Sequence, residues 1–130
     1  MAIQNYHDFT NSSERLNSSN NKAQQAGGSS DAMTTLVVIG SAKAKPGKAD
    51  AFRETLKELL LPTLAEEGCL RYEMNESEDG QSWIFTELWE SRALWDRHMA
   101  SPQLDRYRAV VHDLAEYWNL FLGHTVRPGS

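Results

Sequence analysis

The 130-residue sequence contains a single cysteine, Cys69. An internal disulfide is excluded, and a reducing compartment is the natural expectation. No apolar run approaches the length of a membrane span, and the N-terminus lacks the basic start and apolar middle of a signal peptide. The expectation is a cytoplasmic protein with no membrane partner. Cationic runs are also missing: 13 Lys and Arg stand against 18 Asp and Glu, for a net charge of −5. Phosphate binding needs a basic patch, so the charge argues against nucleic acid as the main partner. The four histidines are scattered and no His/Cys pair has ligand spacing, so no metal site is expected. There is no glycine-rich phosphate loop and no dinucleotide fingerprint, and no cofactor is expected.

What is present divides into two parts. Residues 1–33 are rich in Asn, Ser, Gln and Gly, with only Ile3, Tyr6, Phe9 and Leu16 in loose apolar spacing. Such a segment buries too little surface to offset its ordering entropy, and a disordered or flexible N-terminal extension is expected. The alternative is an arm that packs on a partner through Tyr6 and Phe9. Residues 34–127 carry the periodicity of one folded domain, and 128–130 form a tail.

Thr34 to Ala42 is a β-branched, nearly continuous apolar run that predicts a central strand. Pro46 and Gly47 break the chain. Phe52, Leu56, Leu59, Leu60 and Leu64 then form one stripe of a helix over 48–67, which Pro62 should kink by removing a donor and crowding the carbonyl of Glu58. Gly68 is placed to close it in the left-handed conformation. Cys69 to Ser77 alternates, with Leu70, Tyr72 and Met74 on one face, and Asp79-Gly80 signals a hairpin turn. The returning strand, Trp83 to Glu90, has Trp83, Phe85, Glu87 and Trp89 on one face. A short helix carrying Leu94, Trp95, His98 and Met99 follows. Ser101-Pro102 opens a further helix with Leu104, Tyr107, Val111 and Leu114 on its stripe. The last strand is expected over 117–126.

The order is β-α-β-β-α(α)-β, which predicts an α+β, ferredoxin-like βαββαβ fold with one antiparallel sheet and helices on one face. The other face is expected to carry Trp83, Phe85 and Trp89, which facing solvent would leave a large exposed patch. A homodimer through the sheet face follows as the expectation.

Residues 34–126 resemble the antibiotic biosynthesis monooxygenase (ABM) domain family, and within it the quinol monooxygenases. The resemblance rests on Lys45-Pro46-Gly47-Lys48, on Glu66-Glu67-Gly68-Cys69 with Tyr72, on Glu87-Leu88-Trp89-Glu90-Ser91, and on His98 with Ser101-Pro102. It implies a dimeric α+β barrel. It also implies oxidation of a quinol or polycyclic phenol, a small aromatic substrate, by O₂ without metal, flavin or haem. Such chemistry needs a dry aromatic pocket, a base and donors for a developing oxyanion.

His98 matches the family histidine near the end of its helix and is the candidate base; the bland alternative is a core histidine capping that helix. Trp89 matches the tryptophan of the family E-x-W motif, as a pocket wall or as packing at the dimer interface. Glu87 either orients His98 or pairs across the sheet with Arg71 or a helix donor. His98, Trp89 and Glu87 form the candidate catalytic set. Tyr72, Phe85 and Asn119 form the candidate substrate-binding set. Asn119 is chosen because a buried amide in an apolar strand needs a partner. His112 and His124 are expected at the surface, Trp95 and Trp118 in packing, and Cys69 as a small buried residue. Haem degradation on this fold is disfavoured, because Gly40 and Arg108 stand where an asparagine and a histidine are required. An isomerase of a small signalling sugar is weakened by Gln103 after Pro102, where a histidine is required. A non-catalytic, ligand-binding dimeric domain stays open, and an enzyme requires open space among Trp89, Tyr72, Asn119 and His98.

Overall fold

The structure, a computed structural model, describes residues 34–129; the expected N-terminal extension lies outside the described residues. Its elements run β1 (Leu36–Ala44), α1 (Ala49–Lys57), α2 (Leu60–Leu64), β2 (Cys69–Glu76), β3 (Ser82–Trp89), α3 (Arg92–Met99), α4 (Pro102–Leu114) and β4 (Ala115–Gly123). The four strands form one sheet in the order β2-β3-β1-β4, antiparallel throughout. This is the ferredoxin-like βαββαβ arrangement. Among the described residues no helix is long and apolar enough to cross a membrane.

Strand register decides which side chains lie under the helices. Leu36, Val38, Gly40 and Ala42 of β1 stand opposite Trp89, Glu87, Phe85 and Trp83 of β3, and all eight are buried. The β3 aromatics therefore pack beneath α1, α3 and α4, not on the open face, which corrects their expected place at a dimer surface. Phe52 of α1 meets the Trp83 ring edge at 5.3 Å, and Tyr107 of α4 meets Trp118 at 4.7 Å. The open face carries Val37, Ile39, Ile84, Leu88, Tyr117 and Phe121.

Pro62 has the expected effect, with a consequence for the register. The helix breaks after Lys57: Leu59 N–H donates to Leu56 O, in a tighter turn than the α-helical one, and α2 restarts at Leu60. Rotation at this break turns Thr63 inward, fully buried, and leaves Leu64 half exposed. The straight stripe expected through Leu64 is corrected accordingly. A bulge at Leu70 likewise shifts β2, so Cys69 opposes Trp89 on the helix side while Leu70 is exposed. The Asp79-Gly80 turn forms as expected, with Gly80 at φ 72°. Ser91 and Ser101 cap α3 and α4 by accepting from Leu94 N–H and Leu104 N–H. The last strand begins at Ala115 and ends at Gly123, earlier than expected.

Candidate functional site

The two ends of the site come from elements that the sheet holds rigidly. β2 and β3 present Tyr72, Phe85 and Glu87 upward, and α3 lays His98 over them. His98 is 2% exposed. Its ring lies 4.7 Å from that of Trp89 and 5.8 Å from that of Tyr72, which in turn sits 5.4 Å from Phe85. Tyr72, Phe85, Glu87 and His98 line a cavity between sheet and helices, closed by Leu59 and Met99 among others. Its volume is about 20 Å³, room for about one water or a molecule of similar size.

Two of the expected site residues stand elsewhere. Trp89 does not line the cavity. It packs behind His98 and donates its indole N–H to Glu87 Oε1 at 2.9 Å. Asn119 pairs with Ser41 on the open face, because Trp118 and Leu120 on either side of it take the helix face. It cannot reach His98 through the sheet, and its Oδ1 is buried without a hydrogen-bond partner among the described residues. The open space expected among Trp89, Tyr72, Asn119 and His98 is thus reduced to the small cavity. Trp95 and Trp118, read from sequence as packing, do line it. His112 and His124 are exposed, as expected.

A polar clamp that sequence reasoning did not assemble surrounds the buried ring. His98 Nδ1 lies 3.0 Å from Glu66 Oε2. Gln103 Nε2 donates to that same oxygen and, at 3.3 Å, to Thr63 Oγ1. Because an amide N–H only donates, the Thr63 oxygen accepts here, and the Thr63 side chain partly offsets the rise of the neighbouring Tyr72 pKa. One amide nitrogen, spending both hydrogens, therefore ties Thr63 to the His98–Glu66 pair. The one signal in the sequence was Glu66 inside its motif. Thr63 was hidden by the break at Pro62.

Burial sets the electrostatics. Burial, with the Glu87 charge adding to it, holds the Tyr72 hydroxyl well above its usual pKa, so Tyr72 is a hydrogen-bond donor and not a base. Burial pushes the Glu87 carboxyl up to about 7, against the opposing effects of His98 and of the Trp89 N–H. Partial burial raises the Cys69 thiol to about 11, which makes it unreactive. The Arg71 partner considered for Glu87 is not the one found; Arg71 lies 4.0 Å from Glu73.

Glu87 gives a stability prediction. Its folded pKa of about 7 exceeds the ordinary 4.5, so the unfolded chain loses this proton first. Stability from this group is therefore fully present below pH 4.5 and declines as pH rises towards 7, by about 3 kcal/mol at most. Glu87→Gln removes that decline. Urea midpoints of both proteins across this range check it, and an equally steep slope in the variant contradicts it.

The match to known proteins agrees with this fold. A family model described as "Antibiotic biosynthesis monooxygenase" matches residues 35–110. A Mycobacterium tuberculosis protein named "Putative monooxygenase Rv0793" is 37% identical over 79 residues, covering 61% of this chain and 78% of that protein. Its solved structure superposes with a TM-score of 0.68, covering 75% of this chain and 100% of the other. A Synechocystis protein is 32% identical over 80 residues, which cover 61% of this chain and 54% of its own length. A Pseudomonas aeruginosa crystal structure, 26% identical, gives a TM-score of 0.69 over 72% of this chain and 96% of that one. The chain belongs to the antibiotic biosynthesis monooxygenase family.

Proposed function

We propose that this protein oxidises a quinol or polycyclic phenol with O₂, without a bound cofactor. The observation that carries this reading is a buried histidine, tied through Nδ1 to a carboxylate, on the wall of an aromatic cavity from which bulk water is excluded. His98 takes the phenolic proton. The phenolate passes an electron to O₂, the radical pair combines at a ring carbon, and loss of water from the resulting peroxide leaves a quinone. One phenol with a ring C–H and one O₂ thus give one quinone and one water. Tyr72 donates to the developing oxygen anion, and the dry surroundings strengthen that contact.

A flat bicyclic ring does not fit in about 20 Å³. Substrate entry therefore requires side chains to move, and Met99 is the wall residue best suited to it, being flexible and only partly buried. The same small volume favours the second reading, a non-catalytic dimeric domain. Oxygen uptake with a panel of quinols, in the presence of a chelator, decides between them. Uptake with quinone formation supports the oxygenase, and no uptake with any quinol leaves the non-catalytic domain.

The homodimer is part of this proposal, on corrected grounds. Phe121 is 61% and Ile84 44% exposed on the open face. A second copy laid sheet to sheet covers these side chains. Light scattering is expected to give twice the 14.7 kDa chain mass. A monomer at micromolar concentration contradicts this.

A further inference from the structure

The base in the cavity has a second side. Outside the clamp, a surface hollow of about 360 Å³ is lined by Glu66, Glu67, Leu94, Arg97, Ser101 and Gln103. The inner cavity and this hollow share no wall residue, and His98 lines the first while Glu66 and Gln103 line the second. The His98–Glu66 hydrogen bond is thus the polar link between them. The Glu66 side chain is 21% exposed, against 3% for that of His98. A proton on the buried ring has no direct route to water, whereas one on Glu66 does.

We propose that Glu66 is the positioning residue for His98 and the outlet for its proton. This rests on the oxygenase reading given above. The Gln103 N–H can only donate to Glu66 Oε2, so that oxygen serves as an acceptor and the ring contributes its Nδ1–H. The unprotonated Nε2 is then the nitrogen offered to the substrate. As the phenolic O–H bond breaks, its proton forms a bond to Nε2. The Nδ1–H bond then breaks towards the Glu66 carboxylate, and Glu66 releases that proton into the hollow. One proton enters at Nε2 and one leaves from Nδ1, which leaves the ring in the Nε2–H tautomer. When the peroxide loses water, Nε2–H gives its proton to the departing oxygen and Glu66 returns one from the hollow to Nδ1, which restores the starting tautomer. Gln103, held by Thr63, keeps the carboxylate in line. Arg97 stays at the rim, paired with Glu67 at 3.2 Å, and does not compete for Glu66.

Two variants separate positioning from proton release. Glu66→Gln keeps an oxygen that can accept from Nδ1 but cannot take the proton; Glu66→Leu removes both. Nitrogen-15 NMR of the full-length protein reads the His98 tautomer directly. The expected result is an Nδ1–H tautomer in the wild type and in Glu66→Gln, and its loss in Glu66→Leu. An Nε2–H tautomer in the wild type, or no change in Glu66→Leu, overturns the positioning role. In oxygen uptake, Glu66→Gln is expected to lower kcat by roughly 10-fold or more with KM little changed, in keeping with the size of proton-transfer effects. Wild-type kcat in Glu66→Gln overturns the outlet. If the wild type oxidises no quinol while the tautomer still responds to Glu66→Leu, the oxygenase reading has failed and the positioning role stands.

Discussion

Replacing His98 with alanine is expected to lower kcat/KM for the oxidised quinol by roughly 10²- to 10⁴-fold, the usual contribution of a positioned general base. Alternatives on the wall are poor. Tyr72 is held protonated by burial, and Glu87, with its carboxyl at about 7, already accepts the Trp89 N–H at 2.9 Å. The variant also enlarges the cavity, so simple steric exclusion of substrate does not explain a loss. The protein should remain folded, because the Glu66 left behind keeps its bond to Gln103 and its exposure to water. A thermal melt confirms this, and steady-state oxygen uptake reads the loss. A rate within about twofold of wild type, against the magnitude above, removes His98 from the chemistry.

The largest structural effect is expected at Gly68. Its φ is +85°, and a Cβ there would lie 2.4 Å from Leu94 Cδ1 and 2.8 Å from Leu94 Cβ. The Leu94 Cβ is fixed to the α3 backbone, so the clash is not relieved by a rotamer change alone. Gly68→Ala combines the left-handed penalty, roughly 1–2 kcal/mol, with overpacking of about 1–3 kcal/mol. A loss of roughly 2–5 kcal/mol corresponds to a melting temperature lower by about 10 °C or more in a domain of this size. The position also matters for function. Gly68 O accepts from Glu90 N–H at 2.8 Å, and the residue packs against the helix that carries His98, two positions after Glu66. The variant is therefore expected to lose activity below the temperature at which it melts. A melting temperature within about 2 °C of wild type, well inside the shift expected, contradicts this account of Gly68.

Local signals in the sequence were enough for the element order. The alternation in β3, that in β2 beyond its bulge, the Asp79-Gly80 turn, and Ser101 before Pro102 are all rules about neighbouring residues, and all appear in the structure. Alternation gives a strand two faces but does not say which one the helices cover. Hence Trp83, Phe85 and Trp89 were expected on the open side, although the buried face of β1 pairs with them. For Asn119 the signal was available: Trp118 and Leu120 flank it, so it had to point away from their face. Thr63 was not legible, because the rotation that buries it depends on how α2 restarts after the break. Nor was the His98–Glu66 pair, whose members are 32 residues apart and meet only when α3 packs against the α2–β2 junction. Tyr72, Phe85, Glu87 and His98, four of the six candidate site residues, line one cavity, because strand register and the packing of α3 converge there.

The central claim is that substrate enters between sheet and helices beside His98. Anaerobic titration of the isotopically labelled protein with a naphthoquinol, followed by NMR, tests it most directly, because binding is then read without turnover. The His98 ring, the Trp95 indole and the Met99 methyl are expected to shift together and saturably. Shifts confined to the open face, at Ile39, Ile84 and Phe121, or no saturable shift at all, would contradict it.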